Sequence, residues 1–198
     1  MNLFQFLNPT IKPPKDALFE RFLEKVNAIF GSEPEFWLPT KQNKNDDLVV
    51  VVIYRDVPGR GFLTAVTYGL SLDTHPLWKQ SRPELCILVK SENENWAKAL
   101  GHLVSRLRGA CPFVNGQIIR FGAPIVEESD MNAFWIWEPL FLEKEEKNLN
   151  IDGSYSIHLQ ALYPIQEAEI LAFETLGAEA LIKHPNFDPF NVSRAIID

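Results

Sequence analysis

The sequence predicts an α+β fold, with a mixed, largely antiparallel sheet flanked by helices. Apolar residues make up 46% of the 198-residue chain, which is enough for a core of its own. Short apolar or β-branched runs, typical of strands, occur in two groups of three. Helical apolar stripes flank and separate these groups instead of alternating with each strand. The predicted order of elements is therefore α-β-β-β-α-β-β-β-α, within one domain that spans residues 1–198.

The first element is a helix over residues 16–30. Leu18, Phe22 and Val26 recur at helical spacing and form one apolar stripe. Gly31 follows the stripe, at the position where many helices end in a left-handed residue. The pattern predicts an amphipathic helix that packs on the core through one face.

Three strands are expected next. The run SEPEFWLPT is interpreted as a proline-rich connection. The runs DLVVVVIYRD and FLTAVTYGLS flank the turn sequence VPGRG, and this arrangement predicts a hairpin. The run ELCILVK is the third strand, and its lack of alternation indicates that both of its faces are covered.

A second helix is predicted over residues 92–108, where Trp96, Leu100 and Leu103 form its apolar stripe. The second group of strands is expected at residues 117–121, 134–142 and 155–163. A charged link joins the last two of these strands and is expected to be a loop.

The last helix is predicted to start at Pro164 and to extend to about Lys183. Its predicted apolar face includes Phe173, Gly177 and Leu181. A glycine on that face suggests a close approach of the helix to a strand. Residues 184–198 are interrupted by proline and are expected to form a tail on the surface.

Composition excludes several classes of function. A formal charge of −7 argues against nucleic-acid binding, which needs an excess of lysine and arginine. The longest apolar run, Leu48 to Tyr54, is far shorter than the roughly 20 residues of a membrane helix. The N-terminal sequence also lacks the pattern of a secretory signal, so we expect a cytoplasmic protein with neither nucleic acid nor membrane as partner.

Cys86 and Cys111 are expected to be reduced, with a disulfide between them as the alternative.

The sequence lacks the common catalytic and metal-binding motifs. Its four histidines are scattered without the spacing of metal ligands, so no catalytic residue, metal or cofactor is predicted. Two segments nevertheless contain candidate functional residues. In the segment Tyr68-Gly69-Leu70-Ser71 the glycine lets the backbone bend or be approached closely. The second segment is Arg82-Pro83-Glu84-Leu85, at the start of an apolar strand. Its two charged side chains are expected to form a salt bridge at the strand start or to line a pocket.

At these residues the chain resembles the Suppressor of fused domain family, in its bacterial single-domain type. Thr67-x-Gly69-Leu70-Ser71 is followed by Arg82-x-Glu84-Leu85, then by an apolar strand and a helix with Trp96. Near the C-terminus, LYPIQEAEI and the spacing Gly177-x-x-x-Leu181 resemble the closing segment of the family. The similarity covers about residues 41–183 and depends on the order and spacing of weak motifs.

The resemblance implies a compact α+β domain without established catalysis. Bacterial members of the family are commonly immunity proteins, which neutralise a toxin by binding it. An animal relative sequesters a transcription factor by clamping an extended peptide between two domains. The resemblance further implies that residues 68–71, Arg82, Glu84, Leu85 and Gly177 define the fold.

The leading hypothesis is a non-enzymatic protein-binding module, of the immunity type that binds a toxin. The negative charge suits a basic partner, because complementary charge accelerates association. Two acidic segments are candidate contacts, although a solvated loop is the simpler interpretation of each. They are Glu127, Glu128 and Asp130 in the first, and Glu143, Glu145 and Glu146 in the second.

Two other functions remain open. One is a regulatory or scaffold protein that binds an extended peptide at a sheet edge. The other is a small hydrolase or transferase with a pocket around Ser71, Arg82 and Glu84. Trp135 and Trp137 share one face of a predicted strand. They belong to the core if that face is covered, and they are a binding anchor if it is open.

Overall fold

The computed structural model describes residues 16–31, 33–39, 48–79, 81–153 and 156–197. Its strands are β1 (Glu35–Trp37), β2 (Val50–Arg55), β3 (Leu63–Tyr68), β4 (Ser81–Val89), β5 (Ile118–Arg120), β6 (Ala133–Trp137), β7 (Asn148–Asn150) and β8 (Ser156–Ile165). Its helices are α1 (Ala17–Phe30), α2 (Asn95–Leu107), α3 (Ile170–Leu176) and α4 (Ala178–Ile182), and a 3₁₀ turn covers Glu167–Glu169.

The strands form one sheet in the order β1-β2-β3-β4-β8-β6-β5, and β7 also pairs with β8. Neighbouring strands run antiparallel except β4 and β8, which are parallel and aligned from Ser81 opposite Ser156 to Cys86 opposite Ala161. The predicted α+β class, with helices flanking a mixed and largely antiparallel sheet, is confirmed.

Side chains of alternate strand residues build two cores, one on each face of the sheet. The first face is covered by α1, α3 and α4, and its core includes Phe22, Tyr68 and Trp135. The second face is covered by α2 and by the segment that follows it, and its core includes Trp96 and Phe134. The sheet is therefore buried on both sides.

Cys86 lies in the core of the first face and Cys111 in the core of the second. Both are buried free thiols, so the alternative of a disulfide between them is wrong. None of the helices within the described part of the chain is long and apolar enough to cross a membrane.

Two short strands lie where the sequence predicts none. β1 falls in the expected proline-rich connection, and β7 falls in the expected charged loop. Each has three residues, which is too few to produce a detectable alternation. The strand expected at residues 134–142 ends at Trp137, shortly before Pro139, which has no N–H for a ladder.

The predicted last helix is also wrong in its start and its continuity. Pro164 belongs to β8, where it pairs with Phe134 and lies beyond the last residue paired with β4. The missing N–H is therefore tolerated. Gly177 separates α3 from α4 with φ 78° and ψ 159°. It is exposed, and no atom lies within 4 Å of where its Cβ would be, so it breaks the helix instead of approaching a strand.

Candidate functional site

The carboxyl group of Glu84 is the centre of a buried hydrogen-bond cluster that joins β4 to the end of β3. Its Oε1 accepts from the N–H of Gly69 at 2.8 Å and from the N–H and hydroxyl of Ser71 at 2.9 and 2.7 Å. Its Oε2 accepts from the hydroxyl of Thr67 at 2.7 Å. Thr67 Oγ1 in turn accepts from the N–H of Leu85 at 2.9 Å. The sequence motifs that suggested the family resemblance are thus one hydrogen-bonded unit.

Glycine is required at position 69 in this cluster. Gly69 has φ 126°, and a Cβ there would lie 2.6 Å from the carbonyl oxygen of Leu48. An L side chain would be strained in this conformation and would collide with the backbone. The turn that presents two N–H groups to Glu84 therefore depends on this glycine.

Burial raises the pKa of Glu84 to about 6, although the hydrogen bonds from Thr67 and Ser71 lower it. The sequence analysis predicts a salt bridge between Arg82 and Glu84, but the carboxyl group of Glu84 accepts its hydrogen bonds from other residues. Arg82 Nη1 donates instead to the carbonyl oxygen of Ser71 at 3.1 Å. The two charged side chains are thus linked through Ser71.

The geometry removes the support for a catalytic pocket at these residues. Ser71 and Glu84 are both 0% exposed, so a substrate cannot reach either side chain in this fold. Tyr68 packs on Phe19 and Phe22 with ring centroids 5.1 Å apart in each case. The three aromatic side chains pack in the core on the first face of the sheet.

The first acidic segment lies beside the N-terminus of α2. The side-chain amide of Asn93 donates to a carboxylate oxygen of Glu128. Between the acidic residues, Ser129 is buried and its hydroxyl donates to the carbonyl oxygen of Val192 at 2.6 Å. The loop is therefore held at both of these residues.

We call the resulting surface the acidic rim, defined by Glu92, Glu127, Glu128 and Asp130. All four side chains are exposed. Within the described ranges, no lysine, arginine or histidine lies within salt-bridge distance of any of them. The neighbouring Glu94 differs, because it pairs with Arg55 and Lys98. The rim thus presents uncompensated negative charge on a fixed loop.

The second acidic segment is separate from the rim. It precedes β7, which pairs with the start of β8, whereas the rim loop leads into β6, whose first residue pairs with the end of β8. Glu143 and Glu145 are exposed, and Glu146 is half-buried. Glu146 accepts from the N–H of Glu143 at 2.8 Å, so part of this segment serves its own turn.

Trp135 is a core residue. Its side chain is 2% exposed, and its ring lies 4.9 Å from that of Phe173 and 5.5 Å from that of Tyr163. Trp137 stacks on Trp135 at 5.1 Å and is half-buried. The two tryptophans do share a face, but α3 covers Trp135 through Phe173. An exposed tryptophan pair is therefore not formed.

The two edges of the sheet differ. β1 is flanked by Pro34 and Pro39, which block further pairing. The run 117–121 around β5 has neither proline nor lysine. The N–H of Phe121 and the carbonyl of Gln117 bond to the β6 side, so by alternation the backbone groups of Ile118 and Arg120 point outwards. Among the described residues no strand pairs with this outer side of β5, so β5 is an edge that neither proline nor lysine protects.

The sequence analysis missed a buried ion pair in the C-terminal tail. We call residues 184–197 the strap. Arg194 Nε and Nη2 bind the two carboxylate oxygens of Glu169 at 3.1 and 2.7 Å. The two side chains are 2% and 0% exposed. No local pattern distinguishes this arginine, because charged residues in a tail are usually solvated.

Among the residues that the structure describes, no group of three or more His, Cys, Asp or Glu side chains is placed to hold a metal ion.

Comparison with known proteins gives a consistent family assignment. The sequence model of the family described as Suppressor of fused protein (SUFU) matches residues 44–195. No curated protein matches the chain.

Two solved structures have a similar fold. One is the crystal structure of a SUFU homologue from Neisseria gonorrhoeae FA 1090, with a TM-score of 0.70 and 18% identity over 89% of this chain and 94% of that chain. The other is the crystal structure of the Sufu-Fu complex, with a TM-score of 0.66 and 10% identity over 93% of each chain. At these identities the likeness concerns the fold.

Proposed function

This chain belongs to the Suppressor of fused family, and we propose that it is a non-enzymatic protein-binding module that neutralises a basic toxin by binding it. The acidic rim is the observation that carries the proposal. Membership supports it, since a protein of similar fold was crystallised as the Sufu-Fu complex. The chain's charge of −7 suits a basic partner.

The rim has the properties of a docking surface for a cationic protein. Glu127 and Asp130 carry unpaired charge on either side of the buried Ser129, so the loop does not have to be ordered when a partner binds. A fixed surface loses less conformational entropy on association. Complementary charge mainly raises the association rate and sets specificity.

Charge reversal tests this proposal. The partner to use is the protein encoded beside the gene for this chain, and association is followed by surface plasmon resonance at several salt concentrations. The variant Glu127→Lys/Asp130→Lys is expected to slow association by at least about tenfold at low salt and to flatten its salt dependence. The variant Glu20→Lys/Glu24→Lys makes the same change of charge on exposed positions of α1 and is the matched control.

A third variant, Glu143→Lys/Glu145→Lys, separates the two acidic segments. If binding is unchanged in the rim variant but lost in this one, the second segment is the docking surface. Unchanged kinetics in both would contradict an electrostatic interface. Failure of the wild-type chain to bind the neighbouring protein or to protect cells from it would contradict the toxin-binding function itself.

The unprotected edge at β5 favours a second candidate function, the binding of an extended peptide by strand addition. A proline at position 120 removes an outward N–H without breaking the bonds from β5 to β6. Arg120→Pro is therefore expected to weaken a peptide bound at this edge by up to about tenfold, the loss of one hydrogen bond. Arg120→Ala is the control, because it also removes the exposed ion pair with Glu167 but keeps the N–H. Equal affinities of the two variants would exclude the edge.

A further inference from the structure

The strap crosses the carboxyl ends of the parallel strands β4 and β8. Their connections leave in opposite directions, since β4 continues to α2 on the second face and β8 to α3 on the first. In α/β sheets such a divergence opens a crevice that binds ligands. In this chain the crevice is filled by the strap.

Main-chain carbonyl groups of the strap are bound by donors from three other parts of the chain. The donors are the N–H of Lys90 to Phe190 at 2.8 Å, the hydroxyl of Ser129 to Val192 at 2.6 Å, and the side-chain amide of Gln166 to Arg194 at 3.3 Å. The accepting carbonyls belong to alternate residues. This is how a cleft holds the backbone of a bound segment, with little dependence on its side chains.

The same cleft contains a receptor for a guanidinium group. Glu169 binds Arg194 through both oxygens, and the carbonyl oxygen of Pro164 accepts from Nη2 at 3.0 Å. The N–H of Gln166 donates to Glu169 at 2.9 Å and holds its carboxylate in place. These groups belong to β8 and the turn after it, not to the strap. Bidentate hydrogen bonding of this kind selects arginine over lysine.

We propose that this cleft is a binding site for an arginine-containing segment of a protein partner, and that the strap fills it as an intramolecular ligand. The preferred segment has an apolar residue two positions before the arginine, because the side chain of Val192 is buried in the core of the second face. The proposal rests on the proposed protein-binding function and identifies one element of the partner. Ser129 connects the cleft to the acidic rim, so a basic partner that displaces the strap can contact both.

The test uses a fluorescent peptide with the sequence of residues 184–197 and the full-length chain. The variant Arg194→Ala weakens the internal ligand and leaves the receptor intact. Wild-type chain is expected to show no binding, because the tethered strap competes at an effective concentration on the order of millimolar. Arg194→Ala is expected to bind the peptide, and a peptide carrying Arg194→Ala is expected to bind at least about tenfold more weakly, the loss of charge-assisted hydrogen bonds. Adding Glu169→Gln to the variant is expected to abolish the difference between the two peptides.

Loss of the buried arginine also destabilises the fold, so thermal unfolding with and without peptide provides a second measurement. An Arg194→Ala chain that is largely unfolded should regain structure and melt at a higher temperature when the peptide is added. Absence of both binding and thermal stabilisation, or equal binding of both peptides, would overturn the proposal. A chain that still binds its basic partner through the rim under those results keeps the proposed function and loses only the cleft.

Discussion

Replacing Glu84 by glutamine tests how the buried cluster balances burial against hydrogen bonding. The amide oxygen can take the position of Oε1 and keep the donors from Gly69 and Ser71. The amide nitrogen then faces Thr67 Oγ1, whose hydroxyl can turn to the carbonyl oxygen of Leu85 at 3.4 Å. Glutamine is therefore a close substitute for the protonated form of Glu84, and the two chains are expected to be similarly stable near pH 4.

The difference between the two chains is expected to change as the pH rises. The pKa of Glu84 is raised from its ordinary 4.5 to about 6 in the folded chain. Between these values the folded chain holds a proton that the unfolded chain has lost, so the free energy of unfolding falls with increasing pH. A difference of 1.5 pKa units corresponds to about 2 kcal/mol. The free energy of unfolding of the wild-type chain should therefore fall by about this amount relative to that of Glu84→Gln as the pH rises from below 4.5 to above 6. At higher pH the difference should stay constant.

Urea unfolding of both chains from pH 4 to 8, followed by tryptophan fluorescence, measures this difference, and other titrating groups cancel between them. Glu84→Ala is the control for the cluster itself. It leaves the N–H groups of Gly69 and Ser71 without an acceptor and is expected to cost about 2–5 kcal/mol, with the larger cost at low pH, where the wild-type chain is most stable relative to a residue that does not titrate. A wild-type advantage over Glu84→Gln that grows with pH would refute the reasoning, because it would mean that the four hydrogen bonds outweigh burial.

Three further substitutions test the packing of the two faces. Gly101→Ala would place a Cβ 2.6 Å from Cζ3 of Trp37 and 2.7 Å from Cγ2 of Val51. It is expected to lower the free energy of unfolding by about 1–2 kcal/mol, since overpacking outweighs the gain in helix propensity. Added stability would contradict this. Trp135→Ala is expected to cost about 3–5 kcal/mol and Trp137→Ala less than half as much, measured by the same unfolding assay. Equal losses would contradict the assignment of Trp135 alone to the core.

The long apolar elements were predictable for two reasons. The apolar side chains of α1 and α2 repeat at helical spacing, and β2, β3 and β4 lie in apolar, β-branched runs whose length is typical of buried strands. β1 and β7 place only one or two side chains on each face, so no period exists to detect. The last helix was predicted from a proline suited to a first helical turn and from an apolar face. That reasoning missed the alternative roles of Pro164, which fits a strand beyond the last residue paired with β4, and of Gly177, whose positive φ ends a helix.

The candidate site was predictable only in part, for a similar reason. The motif residues were identified, but their chemistry depends on the directions of two backbone N–H groups that sequence letters do not reveal. Strand periodicity correctly placed Trp135 and Trp137 on one face. Whether that face is open depends on Phe173, which comes from a distant helix. The Arg194–Glu169 pair depends on the path of a tail without regular structure, for which no sequence rule exists.

The burial of the family motif explains why it identifies the fold without identifying a partner. Gly69, Ser71 and Glu84 contact only other parts of the same chain, so they cannot distinguish one binding protein from another. We propose that discrimination comes instead from the acidic rim and the strap cleft. Both involve Ser129, which is buried in the rim loop and donates its hydroxyl to Val192 of the strap. Ser129→Ala should therefore disturb both sites at once, whereas reversal of rim charge should leave the strap bound, and hydrogen exchange of the strap amides in the two variants separates these outcomes.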